Sequence, residues 1–172
     1  MVRKPDVLVT QKEIKQTIAR LAAELKKDYR AKCPLLICIL KGSFVFLADL
    51  IRELDIPLEV DFVKLSSYGS SKETSGKVRM VQGLNTPIKG RHVIVVEDII
   101  DTGLTVSSLL DYLKRKKPAS LKLCALADKP SRRKVPVTID YLGFTVPDKF
   151  IVGYGIDWDE KFRYLADICC ID

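Results

Sequence analysis

One stretch leaves this chain few folds to choose from. Residues 92–105 read HVIVVEDIIDTGLT. The stretch opens as an apolar, β-branched run, Val93-Ile94-Val95-Val96, the composition of a strand covered on both faces and therefore inside a parallel sheet. Its character then changes within three residues. Glu97 and Asp98 end the strand with carboxylates, and Asp101-Thr102-Gly103-Leu104-Thr105 forms a polar turn. Val106, Leu109, Leu110 and Leu113 then share one stripe of a helix. Strand, acidic edge, turn and helix N-terminus in that order describe a socket for a phosphorylated sugar. Unpaired helix N–H groups and the positive end of the helix dipole converge on such a turn and favour an anion. Gly103 lets backbone approach closely, while Thr102 and Thr105 add hydroxyl donors. Sugar hydroxyls would then lie near the acceptors Glu97 and Asp98. An ordinary βα loop with a capped helix has the same pattern, so the stretch alone leaves both readings open.

The rest of the chain supplies a sheet for this strand to sit in. Thr10-Gln11-Lys12-Glu13 is a capping box, and Ile14, Ile18, Leu21 and Leu25 follow at helical spacing, with an end expected near Tyr29. Residues 35–40 (LLICIL) form a continuous apolar run, hence a buried strand, which breaks at Lys41-Gly42-Ser43 before an apolar helix over 44–54. A strand is expected over 58–65, then a polar, glycine-containing segment over 66–77 (SSYGSSKETSGK), then a returning strand over 78–82. That segment is longer than a structural hairpin needs and reads either as a surface loop or as an active-site lid, with Tyr68 as its contact residue. Pro118 stops the central helix, and strands are expected over 121–127, 138–144 and, as a final short one, 150–154. Arg132-Arg133-Lys134 makes a basic patch, and Asp157 to Tyr164 closes the pattern with aromatics among charges. Strands alternating with helices give an α/β fold: a mainly parallel twisted sheet flanked by helices, with right-handed crossovers. At 172 residues, with no internal repeat or linker, the chain reads as a single domain over 1–172.

Charge and cysteine usage narrow the setting. The formal net charge is +7, which suits RNA but equally suits small polyanions such as phosphate and pyrophosphate esters, and no block of five like charges appears. Five cysteines, Cys33, Cys38, Cys124, Cys169 and Cys170, show no C-x-x-C spacing, and two of them lie inside apolar runs. A reducing, cytoplasmic setting is expected. No signal pattern and no apolar stretch of membrane-spanning length is present, so no membrane association is expected.

In a parallel sheet, ligands gather at the carboxyl ends of the strands. Those ends carry Lys41-Gly42-Ser43, Ser66-Ser67-Tyr68, Glu97 through Thr105, Asp128-Lys129 and Asp157. Here the residues reach a known family. Val95-Val96-Glu97-Asp98-Ile99-Ile100-Asp101-Thr102-Gly103-Leu104-Thr105 closely resembles the phosphoribosyl diphosphate-binding motif of the type I phosphoribosyltransferases. Leu40-Lys41-Gly42-Ser43 resembles the pyrophosphate loop of the 6-oxopurine branch, and Ser67-Tyr68 resembles the pair in its lid. Lys129, then Pro147-Asp148-Lys149-Phe150-Ile151-Val152-Gly153-Tyr154, Asp157 and Phe162-Arg163 resemble its purine-binding hood. The resemblance runs through nearly the whole chain in order. Two positions depart from it: Leu104 stands where some relatives carry lysine, and Trp158 follows the hood aspartate where relatives vary.

The resemblance implies the type I phosphoribosyltransferase fold, with a core over roughly 30–145 and a small hood built from the N-terminal residues and roughly 146–172. It implies transfer of 5-phosphoribosyl from phosphoribosyl diphosphate to N9 of hypoxanthine or guanine, giving IMP or GMP and pyrophosphate, with Mg2+ as cofactor and a homodimer or homotetramer as the assembly. It implies that Glu97, Asp98, Asp101, Thr102, Gly103, Leu104 and Thr105 hold the 5-phosphate and ribose, with Asp101 as general acid/base at purine N7. Lys41, Gly42 and Arg163 would face pyrophosphate, with the Leu40–Lys41 peptide in cis. Lys129, Phe150, Ile151, Asp157 and Ile99 or Ile100 would surround the purine, and Asp157, Glu97 and Asp98 would hold metal. The same fold also serves an RNA-binding attenuation regulator of pyrimidine operons. Retention of Asp101, Lys129, Asp157 and Ser67-Tyr68, without clustered stacking aromatics, points away from nucleic acid.

Overall fold

The computed structural model describes residues 5–67 and 78–171. A capping box starts the first helix: the Thr10 hydroxyl accepts from Glu13 N, while a Glu13 carboxylate oxygen accepts from Thr10 N at 2.8 Å. The elements run β1 (Asp6–Val9), α1 (Gln11–Tyr29), β2 (Leu35–Leu40), α2 (Phe44–Leu54), β3 (Glu59–Ser67), β4 (Val78–Gln82), β5 (His92–Ile100), α3 (Leu104–Arg115), β6 (Ser120–Asp128), β7 (Tyr141–Thr145), β8 (Phe150–Val152) and β9 (Ile168–Ile171). The main sheet has the order β4-β3-β2-β5-β6-β7, parallel except for the antiparallel edge strand β4. A second, three-stranded antiparallel sheet, β1-β9-β8, is the hood.

Two apolar layers sandwich the main sheet. On one face α1 and α2 bury Ile14, Leu21, Leu25, Phe46 and Leu50 against Leu36, Cys38, Ile94 and Val96. On the other, α3 buries Val106, Leu109 and Leu113 against Leu35, Ile37, Val93 and Val95. Strand β5 is therefore apolar on both faces, as its composition requires. Its alternation reverses across the acidic pair. Ile99 packs with the α1/α2 layer and Ile100 with the α3 layer, opposite to where strict alternation from Val93 would put them.

Several expectations needed correction. Glu97 and Asp98 do not end β5, because its pairing with β6 continues to Ile100 beside Asp128. Strand β3 extends to Ser67, where antiparallel pairing with β4 holds it in register. Helix α3 starts at Leu104, two residues early, with Gly103 as its N-cap. Strand β7 is shifted to Tyr141–Thr145 by its pairing with Cys124 to Asp128. Strand β8 stops at Val152 and is not the last strand, since β9 follows and pairs with both β8 and β1.

The chain switches sides between β2 and β5. From β2 it moves outward to β3, then returns to the other side as β5, so the carboxyl ends of these two neighbours frame a crevice. They approach so closely that a Cβ on Gly42 would overlap the Asp98 carboxylate. The hood docks at the same place, with Gly155 against the Gly42 carbonyl oxygen. Tyr154 OH donates to Asp49 of α2, and Gln11 N donates to Asp167 Oδ1 at 2.7 Å, so the hood is tied to both helices.

A buried carboxylate organises the far edge. Asp61 in β3, 4% exposed, accepts from Phe62 N, Asn85 N and Thr86 N at 2.8, 2.9 and 2.8 Å, pinning the segment after β4. Burial opposes ionisation there, but the convergent N–H donors outweigh it and hold the carboxyl below its ordinary value.

Two predictions follow from these contacts. Asp61→Asn should cost about 1–2 kcal/mol at neutral pH. Because the folded pKa is lowered, Asp61's contribution is complete above the unfolded carboxylate pKa and fades as pH falls toward the folded value. Denaturant titrations of wild type and variant should therefore draw together as pH falls below the ordinary carboxylate value of about 3.9; a constant gap would contradict the assignment. Gly42→Ala should cost about 1–3 kcal/mol through overpacking and disturb Asp98. An unchanged melting curve would show that the crevice can widen freely.

Candidate active site

The turn after β5 opens a helix whose first N–H groups have few partners among the described residues. Gly103 caps α3 at φ +83°, a conformation that disfavours side chains, and a Cβ there would also meet Arg133 Cδ and Val137 Cγ2 at 2.9 Å. With glycine as N-cap, no side chain caps the helix; Thr102 Oγ1 reaches Leu104 N only at 3.4 Å. A cleft of about 190 Å³ opens here, lined by Glu97, Asp98, Asp101, Thr102, Gly103 and Thr105. Helix dipole and free donors both favour an anion in it. Leu104 is half-buried and begins α3 without adding charge to the cleft.

Asp101 lies in this turn. Its Oδ1 is enclosed and has no hydrogen-bond partner among the described residues, although Arg132 Nε stands 3.4 Å away at ion-pair distance. An acceptor in that position is open to a ligand's N–H. Glu97 and Asp98 are both buried, at 7% and 9% exposure. Burial pushes the Glu97 carboxyl well above its ordinary range, and the neighbouring Asp98 charge pushes it the same way. Asp98 N donates to Glu97 Oε1 at 3.1 Å, and Ile99 N donates to Asp98 Oδ1 at 2.8 Å. Asp98 thus stands at the switch point, touching the space over Gly42.

Across the crevice the Leu40–Lys41 peptide is cis, as the resemblance implied. Ser43 Oγ donates to Ile39 O and ties this short turn to the end of β2. Lys41 Nζ does not stand free. It pairs with Glu160 Oε1 at 2.7 Å, and the other Glu160 oxygen pairs with Arg163 Nη2 at 3.1 Å. Arg163 Nη2 also meets Asp157 Oδ1 at 2.8 Å, while Arg163 Nη1 donates to Gly155 O at 2.7 Å. Asp157 Oδ2 in turn accepts from Glu160 N at 2.8 Å. The loop that carries these groups turns sharply, with Asp159, Glu160 and Phe162 at φ of 51°, 60° and 71°. Backbone of this kind concentrates at functional sites.

Lys129, at the end of β6, is only 5% exposed and donates to Lys149 O at 2.7 Å. An ammonium has three donors, so among the described residues two remain for a ligand. The hood strand above it presents Phe150, 50% exposed, whose ring meets Trp158 edge-on with centroids 6.3 Å apart. Trp158, whose role the resemblance left open, thus supports a half-exposed aromatic face. Ile151 is buried with the α1/α2 layer and is available only through its backbone. Ile99 is half-buried, whereas Ile100 is 1% exposed beneath α3 and cannot stack on a ligand. Ser67 ends β3 on the same rim; Tyr68 lies outside the described residues.

The structure therefore gathers Lys41, Gly42, Glu97, Asp98, Asp101 to Thr105, Lys129, Phe150, Asp157 and Arg163 around one crevice. Sequence reasoning missed Glu160, which reads as one more charge in a charged run, and the grip of Arg132 and Arg133 on Asp101, which reads as a surface basic patch. No group of three or more His, Cys, Asp or Glu side chains forms a metal cage among the described residues. The scattered buried carboxylates instead suit an ion that brings its own oxygen ligands and waters.

The comparisons agree with this geometry. A family model described as a phosphoribosyl transferase domain matches residues 6–159. The hypoxanthine-guanine phosphoribosyltransferase of Bacillus subtilis is 45% identical over 162 residues, covering 94% of this chain and 90% of the relative. The hypoxanthine phosphoribosyltransferase of Haemophilus influenzae is 44% identical over 166 residues, covering 95% and 93%. A crystal structure of a hypoxanthine-guanine phosphoribosyltransferase from Bacillus anthracis superposes with a TM-score of 0.92 at 46% identity, over 97% of this chain and 98% of that one. With one crevice at the β2/β5 switch, one anion turn at the start of α3 and relatives matched over almost their full length, the chain belongs to the phosphoribosyltransferase family.

Proposed function

We propose that this chain is a purine-salvage glycosyltransferase that moves the 5-phosphoribosyl group of phosphoribosyl diphosphate to N9 of hypoxanthine or guanine, giving IMP or GMP and pyrophosphate. The observation that carries this reading is the pairing, on one rim, of the Asp101–Thr105 anion turn with the buried Lys129 ammonium under a half-exposed Phe150. An anion socket alone would suit many phosphorylated ligands. A buried donor beside an aromatic face adds a recognisable base: a planar ring with an acceptor at its edge. The names of the relatives agree.

In this reading the 5-phosphate rests on the free N–H groups at the start of α3, with the Thr102 and Thr105 hydroxyls beside it. Departure of pyrophosphate leaves an oxocarbenium-like sugar, so the chain's task is to neutralise the leaving group and hold the base in line. Lys41 and Arg163 face pyrophosphate, with Gly42 giving it room. Asp101, through its enclosed Oδ1, which has no hydrogen-bond partner among the described residues, takes the N7 proton as N9 attacks C1. Lys129 donates to the 6-oxo group and so rejects a 6-amino purine, which would leave a buried donor unpaired. Phe150 stacks on one purine face and Ile99 lines the other, while the Ile151 and Asp157 backbone borders the 2-position. Ser67 and Tyr68 belong to a lid that excludes water.

The carboxylates of Glu97, Asp98 and Asp157 fit magnesium held together with substrate oxygens, and they would hold it. When bound, such an ion would supply positive charge that offsets the charge of the leaving pyrophosphate. We further assign residues 1–172 to one phosphoribosyltransferase domain, working as a homodimer or homotetramer in the cytoplasm without nucleic acid. Among the described residues no disulfide joins the cysteines, and no helix is long and apolar enough to cross a membrane.

A spectrophotometric assay with phosphoribosyl diphosphate, magnesium and each of hypoxanthine, guanine, xanthine and adenine tests the reading. Turnover is expected with hypoxanthine or guanine and not with adenine; absence of turnover with all four overturns it. Asp101→Asn should lower kcat by about 10²–10⁴-fold while phosphoribosyl diphosphate affinity holds. Near-wild-type turnover would remove Asp101 from the proton path.

A further inference from the structure

The anion turn has a support that neither the family motif nor its resemblance assigns. The carbonyl oxygens of Ile100, Asp101 and Thr102 are all engaged from the segment after β6. Lys129 N donates to Ile100 O at 2.9 Å, and Lys134 N and Val135 N donate to Thr102 O at 2.9 and 3.3 Å. Between them, Asp101 O accepts from Arg133 Nε at 3.1 Å. It is therefore the one carbonyl of the three that, among the described residues, is held by a side chain with no backbone donor beside it. The same guanidinium reaches Ile100 O at 3.5 Å and pairs with Asp128 at the end of β6, its side chain only 17% exposed.

A trans peptide carries its C=O and N–H on opposite sides. Fixing the Asp101 carbonyl toward Arg133 therefore fixes the Thr102 N–H on the other side, away from the 129–135 segment. It also sets the backbone from which the Asp101 carboxylate projects. A planar guanidinium suits this work, because Nε and Nη2 form a rigid fork that spans one carboxylate and two carbonyls, which an ammonium cannot reproduce.

We propose that Arg133 is a positioning residue: it orients the Asp101–Thr102 peptide so that the turn presents its N–H groups to a 5-phosphate and Asp101 to the base. The inference rests on the proposed phosphoribosyl transfer at this crevice. Arg133 touches no substrate in it. Its neighbour Arg132 meets the Asp101 side chain at 3.4 Å, so consecutive arginines address the side chain and backbone of one residue.

The test compares wild type with Arg133→Lys and Arg133→Ala, using two probes that address opposite ends of the crevice. Ribose 5-phosphate and pyrophosphate binding are measured by calorimetry, each with magnesium present. Both variants should lose at least tenfold in ribose 5-phosphate affinity and about 10²-fold in kcat, the scale of a misplaced reacting group, while pyrophosphate affinity stays within twofold. Added guanidinium at tens of millimolar should restore part of the Arg133→Ala turnover, and equal ammonium should not. Arg133→Lys keeps a cation opposite Asp128, so it guards against a variant that merely fails to fold. Equal loss of both probes together with a lowered Tm would reduce Arg133 to a structural ion pair and overturn the proposal, as would wild-type values for either variant. Wild type that neither binds ribose 5-phosphate nor turns over would instead defeat the functional reading on which the inference stands.

Discussion

The rest of the structure depends on one close approach, the carboxyl end of β2 against the carboxyl end of β5. Parallel neighbours are about 4.8 Å apart along their hydrogen-bonded length, and most separate as they leave a sheet. Here they do not. Gly42 keeps its backbone against the Asp98 carboxylate, and the hood's Gly155 closes on the Gly42 carbonyl from above. Because three chain segments share that point, the cation at 41, the carboxylates at 97 and 98 and the hood loop cannot drift independently. The crevice is a property of the switch in strand order, and side-chain chemistry is added to it.

The core elements were legible because their physics is local. A continuous apolar run such as LLICIL can only be covered on both faces, and the Thr10–Glu13 capping box closes in the structure as its spacing requires. The turn from Asp101 to Thr105 was legible as a strand-to-helix turn for the same reason, while its reading as an anion socket needed the other strand ends beside it. What escaped notice depends on partners far along the chain. Strands β1 and β9 have four residues each and acquire their structure by pairing between the two ends of the sequence, for example Asp6 with Cys170. No periodicity can show over so short a span. The adjacent cysteines Cys169 and Cys170 serve β9 as small, buried strand residues.

The misread boundaries at β5 and the missed contacts share a cause. Carboxylates usually mark the end of a buried strand, since burying them uncompensated is costly. Glu97 and Asp98 nevertheless continue the ladder with β6, and burial drives Glu97 toward its protonated form. Likewise Arg133 follows a solvent-facing Arg132 and looked equally solvated, yet it turns inward to backbone carbonyls. Local sequence reports which groups are charged; only tertiary context reports which of those charges are engaged.

Glu160 has a consequence for how the crevice responds to its medium. Exposed lysine and arginine normally gather a cloud of mobile anions, and displacing that cloud makes affinity fall steeply with salt. Lys41 and Arg163 instead hold a tethered carboxylate, delivered by a loop with left-handed residues on either side of Lys161. In the proposed reaction, a pyrophosphate group arriving at the two cations would exchange places with this fixed anion, so fewer free ions would be released. The crevice thus carries its own counterion, and its grip on a polyanion should depend less on ionic strength than a chain of net charge +7 would suggest.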